Sequence, residues 1–248
     1  MSKTVIVIPC YNEEKRIDFK AFSSLLEDEN IFLLFVDDGS TDNTFEKLLK
    51  IKSSCSYNAD VLKLIKNKGK GEAVRLGMRK AISYGCEIVG FLDADLSTPP
   101  EEMKRLIEIL RHSDVSVVLG SRVRLLGHTI IRNPIRHYLG RIFATIASMI
   151  LRLDVYDTQC GAKLFFVTPT LCWSLDSPFF SRWAFDIELI YRLIHPAPGI
   201  SPLNRKNFLE VPLYSWVHKS DSNLGFPAMI RAGLDLLSIY RNLPKSTK

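Results

Sequence analysis

Two carboxylates, Asp93 and Asp95, stand one residue apart where an apolar run, Ile88 to Leu92, stops. Paired acids with no basic residue between them make a hard-oxygen site suited to Mg2+ or Mn2+ and, through the ion, to a substrate diphosphate. A plainer reading stands beside it, because an acid at a strand end often only caps the next helix. The residues behind the pair, Thr98-Pro99-Pro100, predict such a helix, with Thr98 as its N-cap. Repetition favours chemistry. A run from Ile31 to Val36 also ends in acids, Asp37 and Asp38, and the run Thr4 to Ile8 is followed by Glu13. Acids delivered to one edge repel each other unless a cation or hydrogen-bond donors sit among them.

The elements that must deliver them follow from hydropathy. Thr4–Ile8, Ile31–Val36, Val61–Ile65, Ile88–Leu92 and Val115–Leu119 read as buried strands. Helical stretches lie between them. One carries Ile17, Phe22, Leu25 and Leu26. A second runs from a Ser40 or Thr41 cap to about Lys52. A third spans Glu72 to Tyr84 and is closed by Gly85, and a fourth runs from Pro99 to about His112. This alternation predicts an α/β fold with a mostly parallel, doubly wound sheet and helices on both faces. Ligands of such sheets sit outside the carboxyl ends of the strands, where the acids fall. Phe208 to Tyr214 reads as a further strand and Pro227 to about Asn242 as a closing helix.

The bulk properties fit one globular domain over residues 1–248. The chain is 46% apolar, with a net charge of +6. Its five cysteines, Cys10, Cys55, Cys86, Cys160 and Cys172, show no C-x-x-C spacing, so neither a zinc site nor a disulfide framework is expected. No signal peptide is expected, and no apolar stretch reaches the ~18–20 residues of a membrane span. A cytoplasmic setting follows. The Gly69-Lys70-Gly71 turn has neither Walker nor dinucleotide spacing.

From Val115 to Leu153 there is no Asp or Glu, while Arg122, Arg124, Arg132, Arg136, Arg141 and Arg152 fall in the span. On a helix, Ile135, Leu139, Ile142, Phe143, Ile146, Met149 and Ile150 form one stripe, with Arg141, Arg152, His137 and Ser148 opposite. Such a segment, 132–152, either lies in a membrane interface or faces the core with a solvated basic back. The arginines are interleaved with aliphatic residues rather than exposed aromatics, so no nucleic-acid partner is expected.

Four motifs together carry a family resemblance. They are Pro9-x-Tyr11-Asn12-Glu13, Val36-Asp37-Asp38-Gly39-Ser40-x-Asp42, Asn67-x-Gly69-Lys70-Gly71 and Asp93-Ala94-Asp95. In this order they resemble family 2-type glycosyltransferases of the GT-A fold. Asp157-Thr158-Gln159-Cys160-Gly161-Ala162-Lys163 and Arg182-Trp183-Ala184-Phe185-Asp186-Ile187-Glu188 resemble the dolichyl-phosphate β-glucosyltransferases, sisters of the dolichyl-phosphate mannose synthases. The resemblance implies an inverting transfer of a hexose from a sugar nucleotide, with UDP-glucose favoured, to a polyprenyl phosphate. It implies a divalent metal on Asp95 with Asp93. Residues 1–122 would hold the nucleotide and 123–248 would face the acceptor.

By the same resemblance Pro9, Tyr11, Glu13 and Asp38 bind base and ribose, and Asp37 belongs to the donor site. Lys70, Ala94 and Ser97 complete the donor site, and Arg122 and Arg136 fork onto the acceptor phosphate. Gln159, Trp183, Asp186 and Glu188 line the sugar pocket. Tyr11 and Trp183 also fit as packing aromatics, and Asp186 and Glu188 as partners of Arg182 or Arg192. The family's Gly-Ser-Lys stretch is replaced by Asp221-Ser222-Asn223, and the N-terminal anchor of the family's eukaryotic members is not expected here. A peripheral place on the cytoplasmic membrane face, alone or with a membrane-protein partner, is therefore expected. A GDP-mannose-dependent synthase, a transferase to a glycan hydroxyl with Asp186 as base, and a silent binding module are the alternatives.

Overall fold

The computed structural model of the chain describes residues 3–54, 58–131, 134–182 and 184–219, with the backbone alone at residues 19, 54 and 134–139. Seven strands form one sheet in the order β3-β2-β1-β4-β7-β5-β8. They are β1 (Thr4–Cys10), β2 (Ile31–Asp37), β3 (Ala59–Lys63), β4 (Ile88–Leu92), β5 (Val117–Ser121), β7 (Ala162–Phe166) and β8 (Phe208–Pro212). All neighbours are parallel except at β7, which runs antiparallel to both β4 and β5. The expected sheet is therefore present, with one insertion. A strand from the second half of the chain separates β4 from β5, so both halves share one sheet.

Alternation along β1 sorts the core. Val5 and Val7 face one layer with α3 (Lys70–Ser83), α5 (Pro134–Leu151), α6 (Pro169–Ser174) and α7 (Phe185–Ile194). Ile6 and Ile8 face the other, with α1 (Ser23–Leu26), α2 (Thr44–Ser54) and α4 (Pro100–Arg111). Each fully buried aliphatic or Phe side chain contributes about 1.5–3 kcal/mol. That is enough to hold the strand ends rigidly where the acids leave the sheet.

Several local expectations shift. The helix after β1 shrinks to a 3-10 turn, Phe19–Phe22, and the four residues of α1. α2 starts later than expected, because Asp42 Oδ1, not Ser40 or Thr41, accepts from Thr44 N at 3.0 Å. α4 has Pro99 as its N-cap, with no side-chain bond from Thr98. A two-stranded parallel sheet, β6 (Thr129–Ile131) with β9 (Ser215–Val217), was not expected. It pins the loop after β4, since Val217 N donates to Ser97 O at 3.0 Å.

The apolar stripe of α5 divides. Ala144, Ala147 and Leu151 are buried, with Phe143 and Ile150 packed against the core. Ile142, Ile146 and Met149 instead form an outward ridge, exposed by 60%, 45% and 73%. Arg141 folds back, with its guanidinium 3.6 Å over the Tyr156 ring and Nη1 3.0 Å from Tyr156 O. Among the described residues no helix is long and apolar enough to cross a membrane. The predicted helix from Pro227 and the Asp221-Ser222-Asn223 stretch lie outside the described residues.

Candidate active site

The turns after β1 and β2 are stitched together. Asn12, in the left-handed region at φ 53, donates its N–H to Ser40 Oγ and accepts from Thr41 N at Oδ1. Glu13 N donates to Thr44 Oγ1 at 2.8 Å. The turns leave Tyr11 43% exposed beside the half-buried Pro9. The Glu13 carboxylate is held by both nitrogens of the Arg16 fork, at 2.8 and 2.7 Å. Burial pushes its pKa up, Arg16 pulls against this, and the nearby charge of Asp95 adds to the rise.

The acids of β2 shape the loop instead of presenting a rim. Asp37 is fully buried; its Oδ1 accepts from Ser40 N at 3.1 Å and its Oδ2 has no hydrogen-bond partner among the described residues. Asp38, 3% exposed, accepts from Lys68 N at Oδ1 and from Gly69 N at Oδ2, both at 2.8 Å. Burial raises its pKa against the pull of these donors. The expected direct contact of Asp37 with nucleotide is thus corrected: its side chain lies beneath the turn it closes. Asp38 is committed mainly to positioning the 68–69 loop.

That loop opens α3 and brings Lys70 to Asp93, with Nζ 2.6 Å from Oδ1. Gly69 needs its φ of +96, and a Cβ there would strike the Arg182 side chain. A Cβ on Gly71 would strike Phe185. Asp93 lies over β7, where its N–H donates to Gly161 O at 3.0 Å and a Cβ on Gly161 would fall on its carboxylate. Asp95 is turned by Leu96 at φ 56 and accepts from Ser97 N at 2.9 Å. Ala94 and Ser97 are buried and build the turn, with Ser97 N donating to Asp95 and Ser97 O accepting from Val217 N.

Each acid of the floor has a counter-charge, drawn from both halves of the chain. Lys163, in the middle of apolar β7, is buried and bonds Asp186 Oδ1 at 2.6 Å and the Cys160 carbonyl. Gln159 Nε2 reaches Asp186 Oδ2 at 3.4 Å. Burial raises the Asp186 pKa, opposed by Lys163 and then Lys70. For Lys70 burial acts downward, but Asp93 and then Asp186 outweigh it and hold the ammonium above its ordinary pKa. Asp157, which the sequence reading assigned no role, takes the Arg122 fork at 2.6 and 2.7 Å, under Trp216 at 5.3 Å from the guanidinium. The floor therefore alternates Asp157–Arg122, Asp93–Lys70 and Asp186–Lys163.

Two further assignments change. The Arg122 fork is taken by Asp157, which answers the missing acid in 115–153 without a lipid phosphate. Glu188 is fully buried on the opposite side of α7. It accepts from Arg192 Nη2 at 2.6 Å and from Phe180 N at 2.9 Å, so it does not line the pocket. Trp183 and the side chain of Arg136 lie outside the described residues. Lys163 was the missed site residue with a readable signal: a lone Lys inside the apolar run Ala162 to Phe166 is out of place unless it has a partner.

The donor set at Asp93 and Asp95 consists of hard carboxylate oxygens, and the missing Cβ of Gly161 makes the cradle for one of them. Both side chains are partly exposed. No group of three or more His, Cys, Asp or Glu gathers as a metal site among the described residues. The pair fits a divalent ion that takes its remaining ligands from a bound diphosphate.

Residues 5–172 match the glycosyl transferase family 2 model. A dolichyl-phosphate beta-glucosyltransferase of Trichomonas vaginalis is 30% identical over 95% of this chain and 70% of that protein. The human dolichyl-phosphate beta-glucosyltransferase is 30% identical over 94% of this chain and 74% of its own length. The Dictyostelium discoideum protein of that name, 31% identical, is matched over 75% of this chain and 60% of itself. Among solved structures, glucosyl-3-phosphoglycerate synthase from Mycobacterium tuberculosis with UDP superposes with a TM-score of 0.71 at 22% identity, covering 99% of this chain and 82% of that one. The same enzyme with Mn2+, UDP-glucose and phosphoglyceric acid gives 0.70 at 21% identity. This likeness is one of fold, that of the GT-A glycosyltransferases. Strand-end acids, a Gly-Lys-Gly loop closed against α7 and a family match across two thirds of the sequence lead to one conclusion: the chain belongs to glycosyl transferase family 2.

Proposed function

We propose that this chain transfers glucose from UDP-glucose to a polyprenyl phosphate of the dolichyl type, with inversion at the anomeric carbon. One observation carries the reading. The carboxylate best placed to serve as a general base, Asp186, is buried and tied to Lys163 at 2.6 Å. With Asp186 so committed, the described residues suit an acceptor that arrives ionised, and a phosphate monoester has its second pKa near ~6. A hydroxyl acceptor would need a base to take its proton. The names of the relatives, dolichyl-phosphate beta-glucosyltransferases, agree with this acceptor.

In the reaction an acceptor phosphate oxygen attacks the anomeric carbon of glucose opposite the diphosphate. The new carbon–oxygen bond forms as the bond to UDP breaks, and the electron pair leaves with UDP. Asp95 and Asp93 would hold Mg2+ or Mn2+, which when bound supplies Lewis-acid neutralisation of the diphosphate. Tyr11, exposed beside Pro9, would lie against the base, and Glu13 would border the ribose. Lys70 serves the diphosphate, Gln159 the sugar with Asp186 positioning it from beneath, and Arg136 the acceptor phosphate. Asp38 acts through the 68–69 loop. Catalysis rests on positioning and charge stabilisation.

The test is radiolabelled transfer in vesicles from UDP-glucose, UDP-galactose and GDP-mannose to polyprenyl phosphate and to free polyprenol. Glucose should enter the phosphate lipid alone. Preference for GDP-mannose, or transfer to the free alcohol, would overturn the reading.

The acceptor also calls for a membrane surface, and the 132–152 segment supports one through its outward ridge of Ile142, Ile146 and Met149. Replacing Ile142 and Met149 together by Glu should release the protein from anionic vesicles while leaving UDP binding intact. Unchanged vesicle binding would remove α5 from the membrane contact.

A further inference from the structure

Of the paired charges on the site floor, two could be exchangeable, and exposure separates them. The Lys163–Asp186 side chains are 1% and 6% exposed, sealed under α7. The Lys70–Asp93 side chains are 30% and 28% exposed; the bonded Asp93 Oδ1 is buried, and the remainder of the pair reaches the surface. Lys70 is also oddly placed. It is the first residue of α3, where a cation faces the positive end of the helix dipole. Its backbone is fixed there by Gly69 packed on Arg182 and by Gly71 N donating to Arg182 O at 3.3 Å. Only its side chain, a flexible four-carbon stem with a point charge, is left to move.

We infer that Lys70 is a built-in counter-ion. In the unliganded protein its ammonium occupies the cation position beside Asp93, and it exchanges onto the donor diphosphate when a divalent ion takes that position. The inference rests on the metal-dependent donor site proposed above. It adds that metal and nucleotide bind as a coupled pair because one lysine must leave for the first and is received by the second. Without Lys70, Asp93 loses the ammonium bonded to its carboxylate, and Asp95 follows it one residue later. The bare protein should then bind the ion more tightly and depend on it more for stability.

The experiment measures Mn2+ affinity by electron paramagnetic resonance and melting temperature with and without Mn2+, each with and without UDP. In wild-type protein UDP should tighten Mn2+ binding. Lys70→Met should bind Mn2+ without UDP at least about tenfold tighter than wild type, the scale expected when a neighbouring unit charge is removed at partial exposure. The UDP-dependent gain should shrink correspondingly. Lys70→Arg, which keeps the cation, should behave as wild type. Asp93→Asn in the Lys70→Met background should erase the gain, because it acts through Asp93. If wild type binds Mn2+ with UDP but Lys70→Met without UDP is no tighter, the counter-ion role is overturned and the donor site stands. If neither binds Mn2+ under any condition, the metal-dependent site itself fails and the inference with it. A Lys70→Met protein that folds only with Mn2+ supports the role; one that folds in neither condition makes Lys70 structural and overturns it.

Discussion

Asp95→Asn is expected to lower glucosyl transfer by at least about 10²- to 10³-fold, the scale seen when one preorganised charge-stabilising group is removed from a reacting centre. Folding should be nearly untouched. Asp95 is only partly buried, and among the described residues its carboxylate accepts from Ser97 N at 2.9 Å. An asparagine oxygen can accept the same bond. The change also removes one of the negative charges that crowd Glu13. The melting temperature should therefore stay close to wild type, with a stability change within about 0.5 kcal/mol. Transfer within a few-fold of wild type would mean that the acid pair only shapes the turn.

Glu188→Ala has the opposite signature. Its carboxylate is fully buried between Arg192, Phe180 N and Ser181 N, at 2.6, 2.9 and 3.4 Å. Arg192 also donates to the carbonyls of Ser174, Ser177 and Pro178, closing the loop between α6 and α7. Removing the acid leaves a buried guanidinium without its counter-charge, which costs about 3–5 kcal/mol. For a chain of this size the melting temperature should fall by roughly 6–20 °C. In protein that remains folded, the donor KM should change by less than about twofold, since the side chain does not reach the cleft. Thermal melts and donor titrations separate the outcomes. A stable variant with a large rise in donor KM would return Glu188 to the sugar pocket.

Much of this was legible because the signals were local. The strands β1, β2 and β4 are unbroken apolar runs, and each stops where its acids begin, so strand positions and the acidic rim follow from hydropathy. The place of β7 was not legible. Five residues, Ala162–Phe166, enter between β4 and β5 against the direction of both, and strand order is set by long-range packing that no window of sequence contains. The roles of the acids were legible only as a class. Asp37, Asp38 and Glu188 look like Asp93 and Asp95 in composition, yet backbone donors or a buried arginine claim them. The arginine-rich span misled in a similar way. Its lack of acids suggested an external anion, but Asp157 lies just beyond the span and returns through the fold to Arg122.

Tyr11 and Asp186 mark the two ends of the proposed donor. One is left 43% exposed by a turn that both β1 and β2 must build, and the other is held in the site floor by a lysine from β7. Between them Asp93 and Asp95 are asked to hold a diphosphate that the acids alone would repel. Calorimetric titration of the unmodified protein with UDP, once with Mn2+ and once with the metal chelated, measures that claim. Binding at least about tenfold tighter with Mn2+ is the predicted result. Equal affinity in the two titrations would contradict it.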